Sequence, residues 1–158
     1  MKKKLLVHRD GTMASLGKDH HYDLMFCWRI KQGIKKRVDT RRLFQYVQYF
    51  WFHHLREHLS EEENLLFGRV QDDFCKRGYQ EHNQIRRQIR KIFYHESQQP
   101  VAYLKLVDLL TAHIHFEEDV LFPHLENILP ARFLAEVSHP IAALHEQSVQ
   151  DDYADVFW

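Results

Sequence analysis

Cysteine is scarce in this chain, with Cys27 and Cys75 the two present among 158 residues. Neither belongs to a CxxC pair, so a zinc site built on cysteines is excluded. One disulfide is arithmetically possible, but so few cysteines are typical of a reduced intracellular protein. We therefore expect a cytoplasmic location.

The sequence also lacks long apolar runs and an excess of either charge. No segment reaches the roughly 20 apolar residues that a membrane-spanning helix needs, and the apolar stretch at residues 5–7 is too short for a secretory signal. Lysine and arginine together number 22, as do aspartate and glutamate, so the formal net charge is zero. A nucleic-acid-binding surface usually carries a basic excess. We expect neither nucleic acid nor a membrane as a partner.

Glycine (5) and proline (4) are few, and no long alternating strand pattern occurs. Apolar residues instead recur every three or four positions, which is typical of amphipathic helices. The sequence predicts five helices over about residues 15–36, 40–69, 72–96, 100–128 and 130–148, with Asp39 or Thr40 capping the second. Four long helices with short connections predict an all-α, up-and-down four-helix bundle with a short additional C-terminal helix. We expect one domain over residues 1–158, with its core at about 15–129.

Histidine is abundant, with 13 residues, and imidazole is the commonest metal ligand. Positions four apart lie about 40° apart around an α-helix, so His58 and Glu62 share a face, as do His113 and Glu117. Both pairs interrupt the apolar stripe that should face the core. A buried carboxylate is costly unless it is paired or binds a metal. The two pairs therefore predict an enclosed cation site.

The other two long helices each add a histidine on an apolar stripe. His82 lies in the stripe of the third predicted helix, and on the first helix His21 is preferred because it shares a stripe with Trp28. Mixed imidazole and carboxylate ligands suit iron, manganese or zinc better than calcium. The predicted ligands, enough for two ions, are His21, His58, Glu62, His82, His113 and Glu117, with His20, His54 and Glu118 as alternatives.

Each of these features alone has an ordinary explanation. A lone core histidine is more often a hydrogen-bonded structural residue, and a lone HxxxE pair is often a surface contact. The argument for metal rests on two such pairs on apolar stripes, together with a histidine on each remaining helix. His115, about 200° around the helix from His113, is expected to face solvent.

Two further segments carry predictions. The basic cluster that begins at Arg29 and ends at Arg37 is interpreted as a solvated helix end, where positive charge is favourable. The terminal DDYADVFW either docks Phe157 and Trp158 or hangs free.

A short internal similarity links the two HxxxE motifs. HLSEEENLLF begins at His58 and HIHFEEDVLF at His113. Both have histidine first, glutamate fifth and sixth, and Leu-Phe ninth and tenth. Ten residues do not establish a duplication, but they place the same chemistry on two helices.

The order of these motifs resembles the hemerythrin-like family, also called the HHE cation-binding domain. The similar segments are DHHYDLMFCW from Asp19, HLSEEENLLF, EHNQI from Glu81 and HIHFEEDVLFP, within roughly residues 15–129. The resemblance implies a four-helix bundle that holds two non-haem iron ions, oxo- or hydroxo-bridged, and binds or senses oxygen, nitric oxide or iron. It also implies a role for each predicted ligand. The terminal ligands would be His21, His58, His82 and His113, and the bridging carboxylates would be Glu62 and Glu117.

The chain departs from the family's invertebrate oxygen carriers at two positions. Those carriers have a second histidine four residues after the third-helix histidine, where this chain has Arg86. They place the last carboxylate five residues after its histidine, whereas here Glu117 and Glu118 stand four and five residues after His113.

We expect a protein that binds or senses a small diatomic such as oxygen or nitric oxide, more than an enzyme. One alternative is a di-iron oxidase, or a peroxide-reactive or iron-handling repair enzyme. The other is a metal-free helical interaction module. Zinc or manganese could replace iron, and the sequence does not identify a protein partner.

Overall fold

The computed structural model describes the backbone of residues 12–96, 98–137 and 151–158, and the side chains of residues 20–95, 98–137 and 151–158. Helices are the regular elements of these residues and no strand occurs among them, which confirms the all-α class. The α-helices are α1 (Thr12–Lys35), α2 (Thr40–Phe50), α3 (Arg56–Glu62), α4 (Asp73–Lys91), α5 (Pro100–Phe116) and α6 (Phe122–Ile128).

Wider π-helical turns continue several of these helices without a break. They are Trp51–Leu55, Glu63–Phe67, Ile92–Glu96 and Glu117–Leu121. The backbone is therefore helical throughout residues 40–67, 73–96 and 100–128, and with α1 this makes four long helical segments close to the predicted bounds. Of the predicted fifth helix, residue 130 precedes the helix, residues 131–137 are helical, and residues 138–148 lie outside the described residues.

Local sequence signals decide where the long segments begin. The Asp39 carboxylate accepts a hydrogen bond from the backbone N–H of Arg41 at 2.8 Å. Asp72 accepts one from the N–H of Cys75 at 2.9 Å. Pro100 lies in the first turn of α5, where its missing N–H would have no helical partner in any case. Such caps satisfy amides that the helix itself leaves open.

The helices pack around two groups of buried apolar side chains. Helix α5 contacts both α1 and α4, and α1 contacts α2. The larger group includes Phe26, Phe50 and Tyr103. The smaller one consists of Leu66, Phe67, Cys75, Phe116, Leu121, Phe122, Leu125 and Val137. In the part of the chain that the structure describes, no helix has both the length and the apolar composition needed to cross a membrane.

Residues 151–158 pack against α1 and α2, the first of the two predicted alternatives. Phe157 is buried, and the Arg29 guanidinium donates two hydrogen bonds to Asp151, at 2.7 and 2.6 Å. The same guanidinium lies 4.0 Å from the centre of the Trp158 ring. The prediction that Arg29 belongs to a solvated helix end is therefore wrong, because this segment covers it.

Candidate metal centre

Six buried polar side chains from the four long segments converge inside the protein. Each is at most 4% exposed, and they are His20 of α1, His58 and Glu62 of α3, His82 of α4, His113 of α5 and Glu117 at the following π turn. They form two groups whose ligand atoms lie within 4.8 Å of one another: Glu62, His82, His113 and Glu117, and His20, His58 and Glu62. Glu62 belongs to both groups.

The two oxygens of Glu62 face different histidines. Its Oε1 lies 2.7 Å from the Nε2 of His58 and 3.7 Å from that of His20. Its Oε2 lies 3.1 Å from the Nε2 of His82. The carboxylate therefore lies between two sets of imidazoles.

Glu117 repeats this arrangement from another helical segment. Its Oε1 lies 2.9 Å from the Nε2 of His113 and 3.7 Å from that of His82. Its Oε2 lies 2.9 Å from the Nε2 of His20. The pattern has an approximate two-fold symmetry, in which each glutamate contacts the histidine four residues before it and one from a segment without an HxxxE motif.

The internal similarity of the sequence underlies this symmetry. In the first copy His58 and Glu62 both lie in regular helix and a π turn begins at Glu63. In the second copy the π turn begins at Glu117 itself, directly after the helix that holds His113. The phenylalanine that ends each copy is buried beside the centre. Phe67 lies 5.3 Å from the ring of His82, and Phe122 stacks on His20 at 5.6 Å. Wide turns of this kind often occur at functional sites.

Several inward-facing polar atoms have no aligned hydrogen bond. They lie close to one another, but the geometry of a hydrogen bond is missing. These atoms are both carboxylate oxygens of Glu62 and of Glu117 and both ring nitrogens of His20. Leaving a buried charged group without a partner is costly. Nitrogen and carboxylate oxygen atoms that point toward common positions are the donor set that a transition metal would use. The residues present thus fit a bound cation.

The outward nitrogens of two imidazoles are bonded to acidic side chains. The Nδ1 of His82 donates to Glu63 and the Nδ1 of His113 donates to Glu81, each at 2.9 Å. With the proton on Nδ1, a neutral ring presents the lone pair of Nε2. The two Nε2 atoms lie 2.9 Å apart, so a proton or a metal ion must offset their repulsion.

The pKa values show how the cluster carries positive charge in the absence of metal. Burial lowers the pKa of His82, but its close contacts with the Glu117 and Glu62 carboxylates outweigh burial and raise this pKa to about 10. His20 behaves in the same way, and its pKa lies well above the usual value. Burial raises the pKa of Glu62, yet His58 and other imidazoles hold it well below the usual value. A metal ion would have to displace imidazole protons.

The structure corrects the choice between the two histidines of α1. His20 is fully buried in the cluster, whereas His21 is exposed. The preference for His21 rested on its sharing a stripe with Trp28, and the Trp28 side chain is itself 52% exposed. That stripe faces outward, so the alternative residue supplies the inward imidazole.

The other two alternative ligands lie outside both groups. His54 is buried, but its Nε2 pairs with Asp23 Oδ1 at 2.7 Å. Glu118 lies on the outer side of His20, 3.4 Å from its Nδ1. His115 is exposed, as predicted.

Sequence reasoning did not identify the acidic partners of the buried imidazoles. Asp23 pairs with His54, and Glu81, which directly precedes His82 in the chain, bonds to His113. Glu63, which directly follows Glu62, bonds to His82 of α4.

The fold and the cluster together define an all-helical protein with a buried histidine–glutamate site that could hold metal. Residues 12–125 match the family model of the hemerythrin HHE cation binding domain. The match covers most of the chain, so the chain belongs to this family, and the resemblance drawn from its motifs is confirmed. The chain has no significant match among curated proteins or among solved structures.

Proposed function

We propose that this chain is a non-haem di-iron protein, a single-domain up-and-down four-helix bundle, that binds or senses oxygen or a related diatomic such as nitric oxide. The observation that carries the proposal is that the two oxygens of each inward carboxylate face different sets of imidazoles. A single ion would use one oxygen of Glu62, or both from one position, and would leave the second set of imidazoles without metal. The two oxygens of Glu62 face His58 and His82, on different segments.

In this proposal His20 and His58 would hold one iron, and His82 and His113 would hold the other. Glu62 and Glu117 would supply carboxylate oxygens to both. Two histidines and shared carboxylates would leave open positions for a small ligand, as in other non-haem iron sites. Zinc or manganese would accept the same donors.

The protein's own part is to hold charge and exclude water. The two carboxylates offset the charge of the ions, and apolar side chains such as Phe67 and Phe122 close the sides of the centre. Iron, when bound, supplies the redox chemistry and the affinity for diatomics that side chains lack. An apolar enclosure favours a small neutral ligand over larger polar substrates.

The buried cluster disfavours the metal-free interaction module. A helical scaffold that used only its surface would be more stable with apolar residues at positions 62 and 117, because buried carboxylates carry a desolvation cost. The enzyme alternative shares the same centre, and the decay of any oxygenated form distinguishes it.

Cys27 and Cys75 are buried free thiols, and the cytoplasmic location stays a prediction.

The test is anaerobic loading of the purified chain with ferrous iron, followed by elemental analysis and visible spectroscopy during air exposure. We expect two irons per chain and an absorption band that appears with oxygen and disappears under vacuum. One zinc per chain without a visible band would overturn the di-iron proposal.

Other outcomes separate the alternatives. A band that forms and then decays with turnover of peroxide or of a reductant would support the enzyme alternative. A spectrum that responds to nitric oxide but not to oxygen would support sensing of that diatomic. Full folding with no affinity for iron, zinc or manganese would support the interaction module.

A further inference from the structure

Glu63 joins two partners outside the proposed metal positions. Its Oε1 accepts a hydrogen bond from the Nδ1 of His82 at 2.9 Å and another from the Nη1 of Arg86 at 2.6 Å. The carboxylate is largely buried, with a side chain 11% exposed. Arg86 lies four residues after His82 on α4, and it fixes the carboxylate that contacts the imidazole.

Glu81 likewise joins His113 to an arginine, and it lies on another helical segment than His113. Its Oε2 accepts from the Nδ1 of His113 and its Oε1 from the Nε of Arg77, both at 2.9 Å. The Arg77 guanidinium also lies 3.9 Å from the centre of the Phe116 ring, a residue of α5. Two chains of the form Arg–Glu–His thus end on the two imidazoles of one proposed iron position.

The placement of these carboxylates ties neighbouring segments together. Glu63 directly follows the inward Glu62 and bonds to a ring on α4. Glu81 directly precedes the inward His82 and bonds to a ring on α5. In each case two adjacent residues have different roles. One side chain points into the cluster, and the other bonds to the outer nitrogen of an imidazole on the next segment.

We propose that Glu63 and Glu81, anchored by Arg86 and Arg77, are positioning residues that hold His82 and His113 as Nδ1–H tautomers and strengthen their Nε2 atoms as metal ligands. This inference rests on the proposed function. A carboxylate behind a metal-bound imidazole fixes its ring orientation and raises its basicity. Glu118 lies 3.4 Å from the Nδ1 of His20, a longer contact than the 2.9 Å of the other two pairs.

The experiment measures the affinity of the full chain for Co²⁺ without oxygen, by competition with a coloured chelator. Glu63→Gln and Glu81→Gln keep the size of the side chain and remove its charge. Each should weaken binding about 10- to 100-fold. Arg86→Gln, which leaves Glu63 in place, should weaken it less. Glu57→Gln, an exposed residue directly before His58, is the matched control and should match the unmodified chain.

A second readout separates positioning from a general structural role. Long-range ¹H–¹⁵N spectra of the Zn²⁺-loaded chain report which ring nitrogen carries the proton. We expect protonated Nδ1 atoms in His82 and His113, with ¹⁵N shifts that change in the two glutamine variants but not in Glu57→Gln. Thermal unfolding of the metal-free variants should differ little from that of the control.

The outcomes distinguish this inference from the function on which it rests. If the unmodified chain binds no Co²⁺, Zn²⁺ or iron, the proposed function fails and this inference fails with it. If it binds two ions but Glu63→Gln and Glu81→Gln bind them as tightly as the control, the positioning role alone is overturned. Unfolded metal-free variants would also overturn it, because the carboxylates would then be structural.

Discussion

The Nε2 atoms of His82 and His113 lie 2.9 Å apart, while the Nδ1 atom of each ring is bonded to a separate glutamate. The two imidazoles come from α4 and α5 and share no local sequence motif. Their close approach, beside Glu62 and Glu117, demands positive charge between them. Protons can supply it in the metal-free chain, and metal ions can take their place.

The two inward glutamates should be required for metal. Glu62→Ala and Glu117→Ala each remove a proposed bridge, so we expect both variants to hold less than one iron per chain, against two in the unmodified protein. Elemental analysis after desalting measures this. His115→Ala, an exposed residue between His113 and Glu117, is the control and should keep its iron. Full iron content in either glutamate variant would contradict the bridging assignment.

The two adjacent histidines of α1 provide a sharper comparison. His20→Ala should lose iron, because the buried imidazole contacts both inward carboxylates. His21→Ala should bind iron normally, because that side chain is exposed. The visible spectrum and the iron content of the two variants check this difference. The reverse result would mean that α1 presents its other side to the centre.

Metal affinity should increase with pH. The pKa of His82 is raised to about 10 in the metal-free chain, so at neutral pH the ring holds a proton that metal must displace. Each displaced proton gives about a tenfold gain in affinity per pH unit below that pKa. Calorimetric titrations with Co²⁺ between about pH 6 and 7.5 measure the affinity. Repeating them in buffers of different ionisation enthalpy gives the number of protons released. An affinity independent of pH would show that the rings are neutral before metal binds.

The raised pKa of His82 should also make the metal-free fold less stable as the pH rises, whereas metal affinity increases. A folded-state pKa of His82 above the ordinary value of 6.5 means that protonation stabilises the fold. This contribution is complete below about pH 6.5 and is lost as the pH rises toward 10. Urea unfolding of the metal-free chain should therefore show lower stability at alkaline pH.

A larger side chain at Gly33 should destabilise the fold. A Cβ atom at this position would lie 2.7 Å from both the Leu43 Cδ2 and the Phe157 Cε2 atoms. Gly33→Ala should therefore reduce the free energy of unfolding by about 1–3 kcal/mol, the usual cost of overpacking. Urea unfolding measures this loss, and Lys31→Ala, an exposed change on the same helix, is the control. Faster amide exchange in residues 151–158 should accompany it, because Phe157 is displaced.

The helical segments were predictable because their signals are local. Asp39, Asp72 and Pro100 mark where segments begin, and the apolar spacing continues between them. The up-and-down arrangement of these segments remains a proposal. The four π turns were not predicted, because a wide turn leaves the spacing of apolar residues nearly unchanged over a few positions.

The sequence by itself determined the all-α class, the family and five of the six inward side chains. His58, Glu62, His113 and Glu117 could be assigned from angle alone, because the two members of each pair share a helical face whose apolar stripe has one clear direction. Only the tertiary structure decided that His20 and not His21 points inward. Helix α1 has apolar residues on more than one side, and its contacts with α2, α5 and residues 151–158 determine which side is buried.

The tertiary structure also decided the partners of the imidazoles. Glu63 and Glu81 bond to rings on neighbouring segments, 19 and 32 residues away in the chain. No spacing rule within one helix reports a contact between two helices, because such a contact depends on how the helices are rotated and how closely they pack. The chemistry of the centre was therefore visible in the chain, but its geometry arose from the packing of four segments.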